Sequence, residues 1–113
     1  MSTYDTPSDD TNGIDHTDLT AFQANLLVVT TRLDRAADDV YGLRIKEELE
    51  DLYGHEVNHG RLYPNLDALV DDDLLEKGTI DRRTNSYEVT EAARQLLRDR
   101  REELTSALGG EHL

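Results

Sequence analysis

The sequence predicts a mainly α-helical domain with one small β-hairpin, and three observations support this fold class. Apolar residues recur at helical spacing in four segments, the first beginning near residue 20 and the last ending near residue 108. Between the third and fourth segments the pattern changes to two short alternating runs around a polar turn. The chain has 113 residues, which is enough for one domain and too short for two.

The first two helices are predicted from their caps. Residues 1–18 are polar and acidic, so we expect them to form an acidic flexible arm. A helix is expected to begin near Thr20, which forms a capping-box pattern with Gln23. A second helix is expected over residues 42–53, with Gly54 as its C-terminal stop. The apolar positions predicted to face the core are Phe22, Leu26, Val29 and Leu33 in the first helix and Ile45, Leu49 and Leu52 in the second.

The third helix and the hairpin follow from turn chemistry. Asn58 is expected to cap a helix over 58–72, in which Pro64 removes one backbone hydrogen bond. Strands are expected near 74–80 and 86–90, joined by a five-residue polar turn in which an asparagine is able to take a positive φ. The predicted turn is Asp81-Arg82-Arg83-Thr84-Asn85.

A long last helix is expected over 91–108, capped by Thr90 and followed by a glycine-rich tail, 109–113. Two short helices joined by a tight turn and followed by a hairpin are typical of a winged helix-turn-helix domain, here over 19–108. The third helix is then the recognition helix, and the hairpin is the wing.

Charge and composition restrict the function. Acids outnumber bases 25 to 12, which gives a net charge of −13, and only Lys46 and Lys77 are lysines. Such a surface suits a very salty cytoplasm, where the Debye length is about 3 Å at 1 M salt and self-repulsion is screened. An acidic face that binds a partner in ordinary salt is the alternative.

Without any Cys the chain has no disulfide, thiolate metal site or cysteine nucleophile. No apolar run reaches the length of a membrane span, the N-terminus does not resemble a secretory signal, and we expect a cytoplasmic protein without a cofactor.

Two segments are predicted to contact double-stranded DNA. The wing tip places adjacent arginines beside hydrogen-bonding side chains, which suits phosphate contact or insertion into a minor groove. With the leucines of the third helix turned inward, Arg61 lies on the outward face and can read guanine through two hydrogen bonds. The predicted contacts are Arg82, Arg83, Thr84 and Asn85 in the wing and Arg61 with its neighbours Asn58, His59, Tyr63 and Asn65 in the helix.

His55-Glu56-Val57-Asn58-His59 matches the HExxH pattern of zinc peptidases. The pattern straddles a predicted turn, so the two imidazoles need not converge on a metal ion. We therefore predict neither a metal site nor catalysis, and count a zinc enzyme as the weakest of three hypotheses. Binding of inorganic ions at this histidine pair is an open alternative.

The last helix carries a leucine stripe that a small domain cannot cover by itself. We expect a second copy to cover it, giving a homodimer with two recognition helices about one DNA turn apart. The predicted interface residues are Leu26, Leu27, Leu97, Leu104 and Leu108.

Four stretches, 19–23, 41–45, 58–66 and 87–90, resemble the PadR family of winged-helix transcriptional regulators, and Gly60-x-Leu62-Tyr63-Pro64 is the most specific of them. The resemblance implies a dimeric DNA-binding repressor or activator whose residues from Asn58 to Asn65 read the major groove, with the wing on the flank. The acidic composition points to a haloarchaeal member, with a stress response among the expectations. The competing hypothesis is a winged-helix module that binds proteins and not DNA.

Overall fold

The computed structural model describes residues 14–36 and 39–110 of the chain. The predicted order of three helices, a two-stranded hairpin and a last helix is confirmed. The elements are α1 (Ala21–Ala36), α2 (Gly42–Tyr53), α3 (His59–Asp71), β1 (Leu75–Asp81), β2 (Thr84–Val89) and α4 (Glu91–Ala107).

The helix ends lie where their caps were predicted. The Thr20 hydroxyl accepts the N–H of Gln23, and the Gln23 side chain accepts the N–H of Thr20, both at 3.1 Å. Asn58 accepts the N–H of Gly60 at the start of α3. Gly54 ends α2 with φ of 77°, a left-handed conformation that glycine adopts without steric cost.

Part of the predicted flexible arm is ordered. Residues 1–13 lie outside the described residues, but a 3₁₀ helix follows at His16–Asp18. Asp15 caps this helix, and the Asp18 side chain accepts the N–H of Asp15 at 2.8 Å. Ile14 and Leu19 pack against the core, so apolar contacts hold the segment that composition alone marks as an arm. The predicted tail is described only to residue 110.

The wing is tighter than predicted. Its turn consists of Arg82 and Arg83 alone, because the strands pair as far as Asp81 and Thr84. The Asp81 carboxylate accepts the N–H of Arg83 at 2.9 Å, and the register shifts between Thr79 and Asp81. Asn85 does not use the positive φ that is open to asparagine, because it lies in β2 opposite Thr79.

The core consists mainly of leucines from all four helices and the hairpin. Ile45, Leu49, Leu62 and Leu66 have no exposed surface, and burying each such side chain contributes about 1.5–3 kcal/mol to folding. Leu52, predicted to face the core, is instead 49 % exposed, because it lies at the edge of the α2 stripe.

The hairpin is joined to the helices at three places. Tyr41 forms an isolated bridge with Ser86, and the N–H of Tyr87 donates to the Val40 carbonyl at 2.8 Å. Asp34 of α1 accepts the N–H of Val89 in β2 at 3.4 Å and also forms an ion pair with Arg94 of α4 at 3.0 Å. These links fix the wing relative to α1, α2 and α4.

Candidate nucleic-acid interface

The recognition helix α3 has the orientation that its sequence predicts. Leu62, Leu66 and Leu69 are fully buried. The exposed face carries Gly60, Arg61 and Pro64, so small residues surround one long basic side chain. A helix with this face allows the backbone to approach base edges closely.

The N-terminus of α3 is held by an ion pair on α2. Lys46 contacts the Glu50 carboxylate at 2.6 Å, and that carboxylate also accepts the N–H of Val57 at 2.9 Å. The hydrogen bond from Lys46 lowers the pKa of Glu50, with the N–H of Val57 contributing next. The same bond to Glu50 raises the pKa of Lys46. The ion pair and the hydrogen bond of Glu50 together hold the chain between α2 and α3 in place, just before Asn58, the N-cap of α3.

Arg61 is exposed, and its guanidinium lies 4.0 Å from the centre of the Phe22 ring of α1. A cation–π contact at an exposed site contributes about 0.5–1 kcal/mol. That is less than the roughly 1–3 kcal/mol of discrimination from a bidentate contact to guanine, so the ring can hold Arg61 without preventing it from reaching a base.

Asn65 is half-buried on the edge of α3 that faces α1. Its Oδ1 accepts from the Gln23 amide at 3.1 Å, and its Nδ2 donates to the carbonyl of Arg61 at 2.7 Å. Gln23 was singled out from the sequence only as a cap. No local pattern in the sequence predicts this hydrogen bond, because the two residues are 42 positions apart.

His59 and Tyr63 form a stacked pair on the opposite flank, with ring centres 5.7 Å apart. Tyr63 is half-buried and packs over Gly42 at the start of α2. A side chain at Gly42 would begin 2.6 Å from the Tyr63 hydroxyl. Tyr63 therefore has a packing role in addition to the predicted contact with DNA.

The wing tip is exposed and positively charged. Neither Arg82 nor Arg83 has an ion pair among the described residues, and the carboxylate of Asp81, the last residue of β1, accepts the backbone N–H of Arg83. The N–H of Arg83 is the main cause of the lowered pKa of Asp81. Lys77 lower in the wing contacts Asp67 of α3 at 3.3 Å, which ties the wing to the recognition helix.

A concave surface of about 570 Å³ lies between the wing, the start of α2 and Tyr63. It brings the predicted wing residues Arg83, Thr84 and Asn85 to the same depression as Tyr63. The predicted contacts in the wing and in α3 thus border one surface of the molecule.

The two histidines of the HExxH pattern contact different aromatic rings. His55 lies beside Tyr53 with ring centres 5.6 Å apart, and His59 stacks on Tyr63. Over the residues that the structure describes, no three His, Cys, Asp or Glu side chains form a group that could hold a metal ion.

A second groove, of about 480 Å³, lies between α1 and α4 on another part of the surface. Leu26 and Leu27 do not reach it, because both are fully buried in the core of the single chain. Val28, 37 % exposed, supplies the apolar surface that α1 contributes to this groove. The other lining residues are Leu97, Leu104, Leu108, Thr31, Thr105 and the arginines at 32, 35, 100 and 101.

Residues 29–99 match the sequence profile of the PadR-like family of transcriptional regulators, which is more than half of the chain. The chain belongs to this PadR-like family. The resemblance drawn from the four stretches of sequence is thereby confirmed. A search of curated proteins found no match.

Solved structures agree with this assignment. RosR of H. salinarum, from a crystal grown from NaBr, is 47 % identical, with a TM-score of 0.76 over 87 % of this chain and 84 % of RosR. The complex structure of hsRosR-S1 has the same identity and a TM-score of 0.77 over 87 % of this chain and 83 % of that one. F93 from STIV, a winged-helix DNA-binding protein, shares the fold at 20 % identity, with a TM-score of 0.59 over 79 % of this chain and 92 % of F93.

The PadR-like chain is therefore a winged-helix DNA-binding transcriptional regulator related to a haloarchaeal protein. Its family points to regulation and not to catalysis. None of the described helices offers an apolar stretch of membrane-spanning length.

Proposed function

We propose that this regulator binds specific sequences of double-stranded DNA as a homodimer in a high-salt cytoplasm. The observation that carries the proposal is the pair of arginines at the tip of the wing, which an ion pair links to α3. Both arginines are exposed, and neither forms an ion pair with another described residue. In a chain of net charge −13, such a local concentration of positive charge is suited to an anionic backbone.

The two elements have different tasks in this proposal. Arg82 and Arg83 contact phosphates or enter a minor groove, with Thr84 and Asn85 adding hydrogen bonds beside them. The first turns of α3 lie in the major groove, where Arg61 reads a guanine through its O6 and N7. Asn58, His59, Tyr63 and Asn65 surround Arg61 on the same helix.

A two-fold homodimer presents two recognition helices to two half-sites. The groove between α1 and α4 supports this part of the proposal, because Leu104 and Leu108 are exposed there beside Val28. A second copy that covers these side chains removes apolar surface from water. Half-sites about 34–36 Å apart then correspond to one turn of the duplex.

The test replaces one arginine at a time. Arg82→Ala, Arg83→Ala and Arg61→Ala are compared with Arg98→Ala, which removes the same charge from α4, where Arg98 pairs with exposed Glu91. We expect Arg61→Ala to weaken binding at a genomic target by about 5- to 150-fold and to relax one base preference. The wing variants should weaken binding to all duplexes alike, and the Arg98 variant should match the wild type.

Targets for this measurement come from a genomic footprint of the protein, which also shows which genes it regulates. Circular dichroism and sedimentation must show that each variant is folded and has the wild-type oligomeric state. If all three site variants bind DNA as the wild type does, the proposed interface is wrong. If the wild type itself binds no DNA, the module that binds proteins becomes the better hypothesis.

A further inference from the structure

The amide of Asn65 is held in one orientation by the first turn of α1. Gln23 has one carbonyl oxygen and one NH₂ group, and its oxygen accepts the N–H of Thr20 in the capping box. Its NH₂ group is thereby directed at Asn65, where it donates to Oδ1 at 3.1 Å. On the other side, Nδ2 of Asn65 donates to the Arg61 carbonyl at 2.7 Å.

This arrangement leaves a defined pair of groups on Asn65. A primary amide has two N–H donors and two lone pairs on its oxygen, so one donor and one acceptor stay free after these two bonds. Adenine presents an N6 donor beside an N7 acceptor in the major groove, and asparagine matches that pair with two hydrogen bonds. The order in which Asn65 presents its donor and acceptor depends on which way its amide is turned.

We propose that Gln23 is the positioning residue that sets the base preference of Asn65, although Gln23 itself contacts no base. The inference rests on the proposed function, in which α3 lies in the major groove. Phe22, the residue before Gln23, contacts Arg61 in the same region, so the first turn of α1 orients both side chains.

Gln23→Glu tests the inference because it separates capping from positioning. A carboxylate still accepts the N–H of Thr20, since glutamate serves in a capping box as well as glutamine does. Facing Asn65, however, it offers an acceptor in place of a donor. The Asn65 amide then has to turn its NH₂ group toward α1, which gives up the exposed hydrogen bond from Nδ2 to the Arg61 carbonyl and reverses the order of its free groups.

The measurement is selection of bound duplexes from a randomised pool by the full-length chain. The control is Gln95→Glu, which adds the same negative charge to α4, away from α3. We expect Gln23→Glu to change the preferred base at one position of each half-site, with discrimination there altered by about 5- to 150-fold. The Gln95 variant should select the wild-type sequences, and the melting temperature of the Gln23 variant should stay near that of the wild type.

A second pair of variants tests whether the effect passes through Asn65. Asn65→Ala should lose the preference at that same position, and adding Gln23→Glu to it should change nothing further. If Gln23→Glu selects the wild-type sequences with unaltered discrimination, the inference is overturned and the proposed function is not. If the wild type has no base preference, both are overturned.

Discussion

Gly42 and Tyr63 are packed so closely that we can predict whether Gly42→Ala raises or lowers the free energy of unfolding. Elsewhere in a helix, Gly→Ala stabilises by about 1 kcal/mol. Here the new Cβ would lie 2.6 Å from the Tyr63 hydroxyl and 2.7 Å from ring atom Cε1, so the ring has to move. We expect Gly42→Ala to lower the free energy of unfolding by about 1–3 kcal/mol in chemical denaturation.

The control removes the ring. In a Tyr63→Ala background, Gly42→Ala should become neutral or stabilising, because nothing then opposes the helical preference of alanine. A loss of stability that persists without the ring would show that the close contact is not its cause.

At the scale of residues, contacts between neighbours in the sequence could be predicted, and contacts between residues far apart in the sequence could not. The caps at Thr20, Asn58 and Thr90 involve partners two or three positions away, so their patterns are visible locally. The contact of Gln23 with Asn65 and the depth of Leu26 depend on how helices pack. Spacing shows that Leu26 and Val28 belong to a wide apolar stripe, but not which of them stays exposed.

The turn between α2 and α3 is the element whose stability should depend on acid pH. Because its hydrogen bonds lower the pKa of Glu50 in the folded state, the carboxylate contributes stability above its unfolded pKa of about 4.3. That contribution is lost as the pH falls through the lowered folded pKa. We expect Glu50→Gln to be less stable than the wild type at pH 7 and the difference to shrink toward pH 3.

Denaturation midpoints at constant molar salt check this prediction. Glu47→Gln controls for charge alone, since it removes one negative charge from the same helix, where Glu47 lies 3.9 Å from Arg44. If Glu50→Gln is less stable than the wild type by the same amount at pH 7 and at pH 3, the stability does not depend on the ionisation of Glu50 and the prediction is wrong.

The elements themselves were largely predictable, with the hairpin as the exception. Three helices begin after residues with strong cap preferences, Thr20, Asn58 and Thr90, and α2 ends at Gly54, so these ends lie close to their predicted positions. The wing was predicted with a five-residue turn because its polar residues are all turn formers. The Asp81 side chain instead closes a turn of only two residues and leaves Thr84 and Asn85 free to pair in β2.

At the scale of the whole molecule, the groove between α1 and α4 should determine the oligomeric state. Leu104→Glu and Leu108→Glu place a charge on the exposed apolar surface there, where the side chains are 55 % and 48 % exposed. We expect each variant to sediment as a monomer and to lose most of its affinity for a two-half-site target. Leu52→Glu, at a leucine that is 49 % exposed on α2 and outside the groove, should remain dimeric. Dimers from all three variants would rule out this groove as the interface.

The net charge of −13 leads to a last prediction, on the salt dependence of DNA binding. A protein with 6–10 phosphate contacts loses about 10³–10⁵ in affinity between 50 and 200 mM salt, because counterions leave the DNA. In this chain we expect the surrounding acids to repel the duplex, and inorganic cations taken up between carboxylates and phosphates to offset that release. We expect affinity measured against KCl to fall less steeply than this, and the slope to decrease by about 1 for each wing arginine replaced by alanine. A steep loss of binding with added KCl, unchanged in the Arg82 and Arg83 variants, would show that neither the acidic surface nor the wing acts as proposed.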